Sequence, residues 1–216
     1  MVQKGVARPG RPREYDPETA LERATDAFWD AGFSGTSLDD LSARMGMNRP
    51  SLYAAFGDKQ ALYLKTLEAY RARRRATIAA VLGAGRPLRE TLRGLFRGMI
   101  DRFLAGDRGA RGCYAVGTAA TEAVLNVEVR KTLADCGRDL DEAFASTFSA
   151  AQARGELGSH AEPKALALMA TAVVHTLALR ARAGEPLAAL RAVADAAVDL
   201  ICSSGRAAPK RRHARG

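Results

Sequence analysis

Residues 47–63 read MNRPSLYAAFGDKQALY. Asn48 followed by Arg49 and Pro50 is a helix start: an Asn side chain accepts a free backbone N–H, and proline is tolerated in the first turn because its missing N–H has no partner there. Gly57 ends this helix and Asp58 caps the next. Between those limits only Leu52 and Phe56 recur at helical spacing, so the apolar edge is narrow. The remaining surface carries Arg49, Pro50, Ser51 and Tyr53. Such a helix is too polar for core and too regular for a loop, and its polar face calls for a polar partner.

The segment just upstream, TSLDDLSARMG, starts at a Thr/Ser cap, carries Asp in its first turn and stops at Gly46. The connector GMN has the length and chemistry of a helix-turn-helix. A first helix opens at Pro17 with Asp16 as cap and ends at Gly32. Phe28, Trp29 and Phe33, then Leu38, Leu41 and Met45, then Leu52 and Phe56 are expected to form a small three-helix core. In such a motif the N-terminal residues of the second helix meet base edges. Arg49 suits guanine O6 and N7 through two parallel hydrogen bonds, and the Pro50 ring suits a thymine methyl. Asn48 starts the reading helix, while Ser51 and the Tyr53 hydroxyl suit phosphate oxygens. Thr36 and Ser37, at a helix N-terminus with free N–H groups, are expected at a phosphate, as is Lys59.

The run ALERATDAFWDAGFSGTSLDDLSARMGMNRPSLYAAFGDKQALY carries a family resemblance. An aromatic and GF close the first helix, TS opens the second, and the turn precedes an LY..F..K..L pattern. Order, spacing and residue types agree over more than forty consecutive positions. Residues 14–74 resemble the DNA-binding domain of the TetR family of bacterial transcriptional repressors. The resemblance implies a two-fold dimer, operator binding through the third helix, and a helical ligand-sensing domain behind the head. Family members vary at the Asp58 position and usually keep the Lys59 lysine.

The whole chain has 216 residues, 47% hydrophobic and 26% charged, with formal charge +9. A field of that sign favours polyanions, nucleic acid first. No uninterrupted apolar run reaches the roughly 18 residues that span a bilayer, and the basic start MVQKGVARPGRPREYD is not followed by an apolar stretch of the secretory kind. The expectation is a cytoplasmic protein with no membrane partner. Cys113, Cys136 and Cys202 match no zinc spacing and are expected as free thiols.

Strand signals are nearly absent and apolar residues return every three or four positions, so the fold class is all-α with about nine helices. The expected organisation is a basic flexible arm over 1–13, a helix-turn-helix domain over 14–74, a ligand-sensing and dimerisation domain over 75–204, and a basic disordered tail over 205–216. Later helices are expected near 59–82, 87–104, 112–125, 127–153, 163–183 and 186–203. Arg11 and Arg13 in the arm read either as a minor-groove contact or as a solvated tail. The eighth and ninth helices are dense in Ala and Leu, which suits close packing against the same pair in a second subunit. A four-helix homodimer interface is what the resemblance implies there.

A pocket for a small-molecule effector is expected among the fifth to eighth helices, lined by Phe96, Ile100, Phe103, Tyr114, Thr118, Phe144 and Phe148. Each of these also reads as ordinary core. His175 reads as a core or interface histidine. Cys113 is placed at the first turn of a helix near Arg108 and Arg111, where a thiol is acidified. This makes it a candidate redox or electrophile sensor, with Cys136 as a resolving partner, and a structural thiol is the alternative. No His/Asp/Ser cluster, metal spacing or phosphate-cradling glycine loop occurs. An enzyme is therefore not expected, nor any cofactor or metal. A non-specific DNA binder driven by charge alone is the remaining competitor to a specific regulator.

Overall fold

A computed structural model describes residues 16–106 and 109–205 of the chain. The expectations for the arm with Arg11 and Arg13, for Arg108, and for the tail beyond Gly205 lie outside the described residues. Within them the fold is all-helical and has nine helices. These are α1 (Pro17–Ala31), α2 (Leu38–Met45), α3 (Arg49–Phe56), α4 (Lys59–Leu82), α5 (Leu88–Leu104), α6, α7 (Val127–Ala153), α8 (Pro163–Arg182) and α9 (Leu187–Ser203). The helix α6 is irregular: it opens with a π-helical turn over Ala115–Ala119 and closes in α geometry over Ala120–Glu122.

The caps anticipated from sequence set the boundaries. Asp16 accepts from the Thr19 N–H at 2.8 Å, Asn48 from Ser51 at 2.9 Å and Asp58 from Ala61 at 2.7 Å. Each such cap contributes about 1 kcal/mol. Ser37 and Asp40 form a reciprocal capping box at the start of α2. Gly46 ends α2 in the left-handed region at φ 66°, ψ 32°, which favours glycine, and this reversal aims α3 across α2.

The head core contains Phe28, Leu41, Met45, Leu52 and Phe56 as expected, joined by Met47, Leu62 and Tyr63. Burying one side chain such as Phe28 or Leu52 contributes about 1.5–3 kcal/mol. Trp29 departs from the expectation. It faces the body rather than α2 and α3, packing against Tyr70 and Tyr114 at ring separations of 5.5 and 5.4 Å.

The helix α4 runs unbroken through the expected boundary at residue 74. Its first half packs on the head and its second half on α5 and α7. In the body, α7 and α8 pack along each other, and α9 lies on α5 and α8. By length and mean hydropathy α8 matches a membrane span. Its inner side, including Ala170, Val174, Leu177 and Ala181, is nevertheless buried within the body.

Candidate nucleic-acid interface and cavity

Capping and a narrow apolar edge leave α3 lying on the head with its polar side outward. Arg49, Pro50 and Tyr53 are exposed, and Ser51 is half-buried. Tyr53 is 46% exposed, so its ring and hydroxyl are open to a partner on this face. Asn48 has its side chain committed to the Ser51 N–H, so its part is to position the helix. At the other end of α3, the Lys65 ammonium donates to the Phe56 carbonyl at 3.2 Å and sits over the Phe56 ring at 5.7 Å. A cation on the last carbonyls steadies a helix through its dipole. Sequence reading missed Lys65, which an i, i+9 separation across a turn does not reveal.

Two further placements differ from expectation. Thr36 is 2% exposed and its hydroxyl donates to the Gly32 carbonyl at 2.7 Å, so its side chain ties the α1–α2 loop and does not reach a phosphate. Ser37 remains exposed, but its hydroxyl and N–H are engaged by Asp40 at 2.6 and 2.9 Å. Hydrogen bonding to Ser37 also holds the Asp40 carboxyl below the usual range. That anion, with Asp39 beside it, weakens the attraction of this helix start for a phosphate. Lys59 has its ammonium 4.4 Å from the centre of the Phe33 ring, a cation–π seat at the edge of the head.

Arg49 is exposed, yet its guanidinium is already engaged: Nε and Nη2 donate to the two carboxylate oxygens of Asp39 at 2.9 and 2.6 Å. The two-bond fork expected for guanine is therefore formed with α2 in this structure.

A buried polar seam joins head to body. The Tyr63 and Thr118 hydroxyls meet at 2.7 Å, as do those of Thr66 and Tyr114 at 2.6 Å. Burial raises the phenol pKa of Tyr63 to about 12 and that of Tyr114 well above its ordinary value, so both remain neutral hydrogen-bonding groups. Arg111, on the loop before α6, binds Asp26 at 2.7 Å and lies 3.2 Å from Asp30, which Arg44 of α2 also binds at 2.8 Å. Trp29 Nε1 donates to the Arg111 carbonyl at 3.3 Å. The loop is pinned by Gly112 at φ 66°, where a Cβ would lie 2.7 Å from the Ala178 carbonyl oxygen.

The cavity is not where the aromatic residues suggested. Phe96, Phe144 and Phe148 pack on one another with ring separations of 6.3 and 5.7 Å and, like Ile100, are fully buried core. Tyr114 and Thr118 belong to the seam. Only Phe103 of the seven lines the apolar cavity of about 150 Å³ that lies between α4 and α5. Tyr70, Arg74, Thr77, Ile78 and Val81 form its α4 wall, while Gly94, Leu95, Gly98, Met99, Arg102 and Phe103 form its α5 wall. Cys113 and Val174 close it. For Phe96, Phe144 and Phe148 the ordinary-core alternative describes their packing, since a chain this size needs large aromatics as filler.

Cys113 is buried immediately before α6 with its sulfur 3.3 Å from the Tyr70 hydroxyl. The Arg111 guanidinium is directed to Asp26 and Asp30 and does not serve as the cationic neighbour expected of it. Cys136 is buried as well, and burial pushes its thiol pKa up. All three cysteines are free.

A family model for bacterial regulatory proteins of the tetR family matches residues 20–66, which span α1 to the first turns of α4. The chain is 30% identical over 159 residues to the HTH-type transcriptional regulator YezE of Bacillus subtilis (strain 168), covering 73% of this chain and 81% of that one. It is 28% identical over 186 residues to the HTH-type transcriptional repressor ComR of Escherichia coli (strain K12), covering 86% and 88%. Among solved structures, a cysteine mutant of the TetR family transcriptional regulator CifR, complexed with 26-bp double-strand operator DNA, superposes with a TM-score of 0.80. That protein is 33% identical, and the match covers 88% of this chain and 99% of it.

Proposed function

The chain belongs to the TetR family of bacterial transcriptional regulators, and from that premise we propose that it is a homodimeric repressor released from a palindromic operator by a small molecule bound between α4 and α5. Base edges fall to Arg49 and Pro50, phosphates to Ser51, Tyr53 and Lys59, and helix placement to Asn48. The observation that carries the effector reading is the double duty of α4. Leu62, Tyr63 and Leu67 of this helix are buried under the head, and from the next turn onward Tyr70, Arg74, Thr77, Ile78 and Val81 wall the cavity. A ligand that favours a different setting of this 24-residue helix moves the head with it. The Arg111 bridges to α1 supply a second tie from the cavity wall at Cys113 to the head.

Dimerisation is supported by the outward faces of α8 and α9. Leu168, Met169, Leu179 and Leu200 are 60%, 62%, 56% and 71% exposed, an apolar surface of the kind that a second copy covers. The two reading helices of such a dimer would sit about 34–36 Å apart, one turn of B-DNA.

The test is enrichment of duplexes from a random pool, followed by fluorescence anisotropy on the selected and scrambled sequences over about 50–200 mM salt. An inverted repeat bound with a preference that survives salt is expected. No enriched sequence, with affinity collapsing equally on both duplexes, would instead identify a non-specific, charge-driven binder. A thiol-responsive repressor is a second reading, favoured by Cys113 standing in the cavity wall. It requires that Cys113→Ser abolish release by electrophiles or oxidants.

A further inference from the structure

The cavity contains a cation that forms no ion pair among the described residues. Arg74 lines it, and the Nη2 of Arg74 donates to the Cys136 carbonyl on α7, while its Nε is buried without a hydrogen-bond partner. Arg93 and Arg111 also bury an Nε atom that lacks a hydrogen bond, but each lies within ion-pair reach of an aspartate, Asp195 at 3.7 Å and Asp30 at 3.2 Å. Among the described residues Arg74 pairs with none. Asp139, whose carboxyl feels the Arg74 charge, is held in two hydrogen bonds by Arg71 at 2.6 and 2.9 Å. The Arg74 guanidinium is partly buried, with its Nε out of contact with solvent, and a cation withdrawn from water in this way is stabilised by a bound anion.

The space beside it is held open by sequence. Gly94 and Gly98 stand one turn apart on the cavity face of α5, and a Cβ built on either meets nothing within 4 Å. Neither glycine has a positive φ or a close backbone approach to explain it. Glycine inside a helix is destabilising relative to alanine, so the two positions act as a notch. Leu95, Met99, Phe103, Ile78, Val81 and Val174 make most of the remaining wall apolar, with Tyr70, Thr77 and the exposed Arg102 as its other polar members. Apolar cavities of about 150 Å³ hold a molecule the size of benzene.

We propose that this cavity takes a small monoanion, a compact ring or branched alkyl body bearing one carboxylate, with Arg74 as its counter-ion and the notch at Gly94 and Gly98 receiving the apolar body. The proposal rests on the cavity being the effector site. Guanidinium and carboxylate match through two parallel hydrogen bonds, which makes the interaction selective for the anion over its neutral amide.

The experiment titrates the purified full chain by calorimetry with matched pairs, benzoate against benzamide and cyclohexanecarboxylate against its carboxamide, and follows operator release by anisotropy. The carboxylates should bind about tenfold or more tightly than their amides, the effect of a charge-assisted pair. Arg74→Met should erase that difference. Gly98→Leu, which fills the notch while favouring helix, should abolish binding of acids and amides alike, with circular dichroism showing that both variants fold. Amides binding as well as acids, or a preference unchanged in Arg74→Met, would overturn the anion assignment and leave the effector cavity standing. If no member of the panel binds or releases operator, both the assignment and the cavity's role as effector site fall.

Discussion

Arg49 of α3 and Asp39 of α2 hold each other across the outer face of the head, Nε to one carboxylate oxygen at 2.9 Å and Nη2 to the other at 2.6 Å. Both side chains are more than half exposed. An exposed ion pair is worth about 0–1 kcal/mol, whereas a bidentate contact to guanine discriminates by about 1–3 kcal/mol. Under the proposed role of Arg49, exchange of the aspartate for a guanine is therefore favourable, and in the free chain Asp39 holds the fork in a set orientation. Arg49→Ala should relax base preference at one position of each half-site, costing about 1–3 kcal/mol on the selected duplex. Asp39→Ala should raise affinity for every duplex by removing an anion from the contact face, and should narrow the ratio between selected and scrambled DNA. Anisotropy at one fixed salt concentration measures both, and an Arg49→Ala protein with its preference intact would remove Arg49 from the base edge.

Tyr53 offers a different signature. Its hydroxyl is on the exposed side of α3 with no partner among the described residues, as a phosphate contact requires. Tyr53→Phe should weaken selected and scrambled duplexes by the same factor, about 0.5–1.5 kcal/mol for one hydrogen bond. A change confined to the selected duplex would place the hydroxyl on a base.

The apolar faces of α8 and α9 make the oligomeric state testable without DNA. Leu168→Glu combined with Leu200→Glu places charge on surface that is already exposed in the isolated chain, so the fold should survive. Sedimentation velocity should then report a monomer where the parent chain is a dimer. Operator affinity should fall by about tenfold or more as the two heads lose their linkage. A monomeric parent chain would end the interface assignment.

His175 on α8 gives the stability a dependence on pH. Burial first, and then the Arg74 charge, depress its imidazole pKa below the ordinary 6.5, against a smaller opposing pull from Asp141. Above pH 6.5 the ring is neutral in both folded and unfolded chains and contributes no slope. As pH falls below 6.5 the unfolded chain takes the proton first, so stability declines until the folded ring titrates as well. The slope from this one group cannot exceed about 1.4 kcal/mol per pH unit. Urea unfolding between pH 7 and pH 5 should show that decline, and His175→Gln should flatten it.

The head was legible in the sequence because local chemistry decides it. Asp16, Asn48, Asp58 and Gly46 act within three or four residues of themselves, and the caps they specify stand where the residue types require. The body was legible in helix count and length and much less in what each side chain touches. Phe144 and Tyr114 read alike as apolar-face aromatics, yet one fills the core and the other holds Thr66 across the seam. That difference depends on which helices pack together, a property of contacts far apart in the chain. Thr36 shows the opposite error. Its place near a helix start pointed to a phosphate, while its hydroxyl had a nearer acceptor at Gly32. The signal overlooked at the cavity was the pair Gly94 and Gly98, visible as two helix-weakening residues one turn apart with no turn to make.

Those two glycines carry a consequence for anyone who improves this chain. Replacing a helix-interior glycine with alanine where space is open raises stability by roughly 0.4–1 kcal/mol per site. A screen for heat resistance or high expression will therefore collect substitutions at Gly94 and Gly98. The same substitutions shrink the cavity between α4 and α5, so under the proposed effector role the hardiest variants will be the ones that no longer switch.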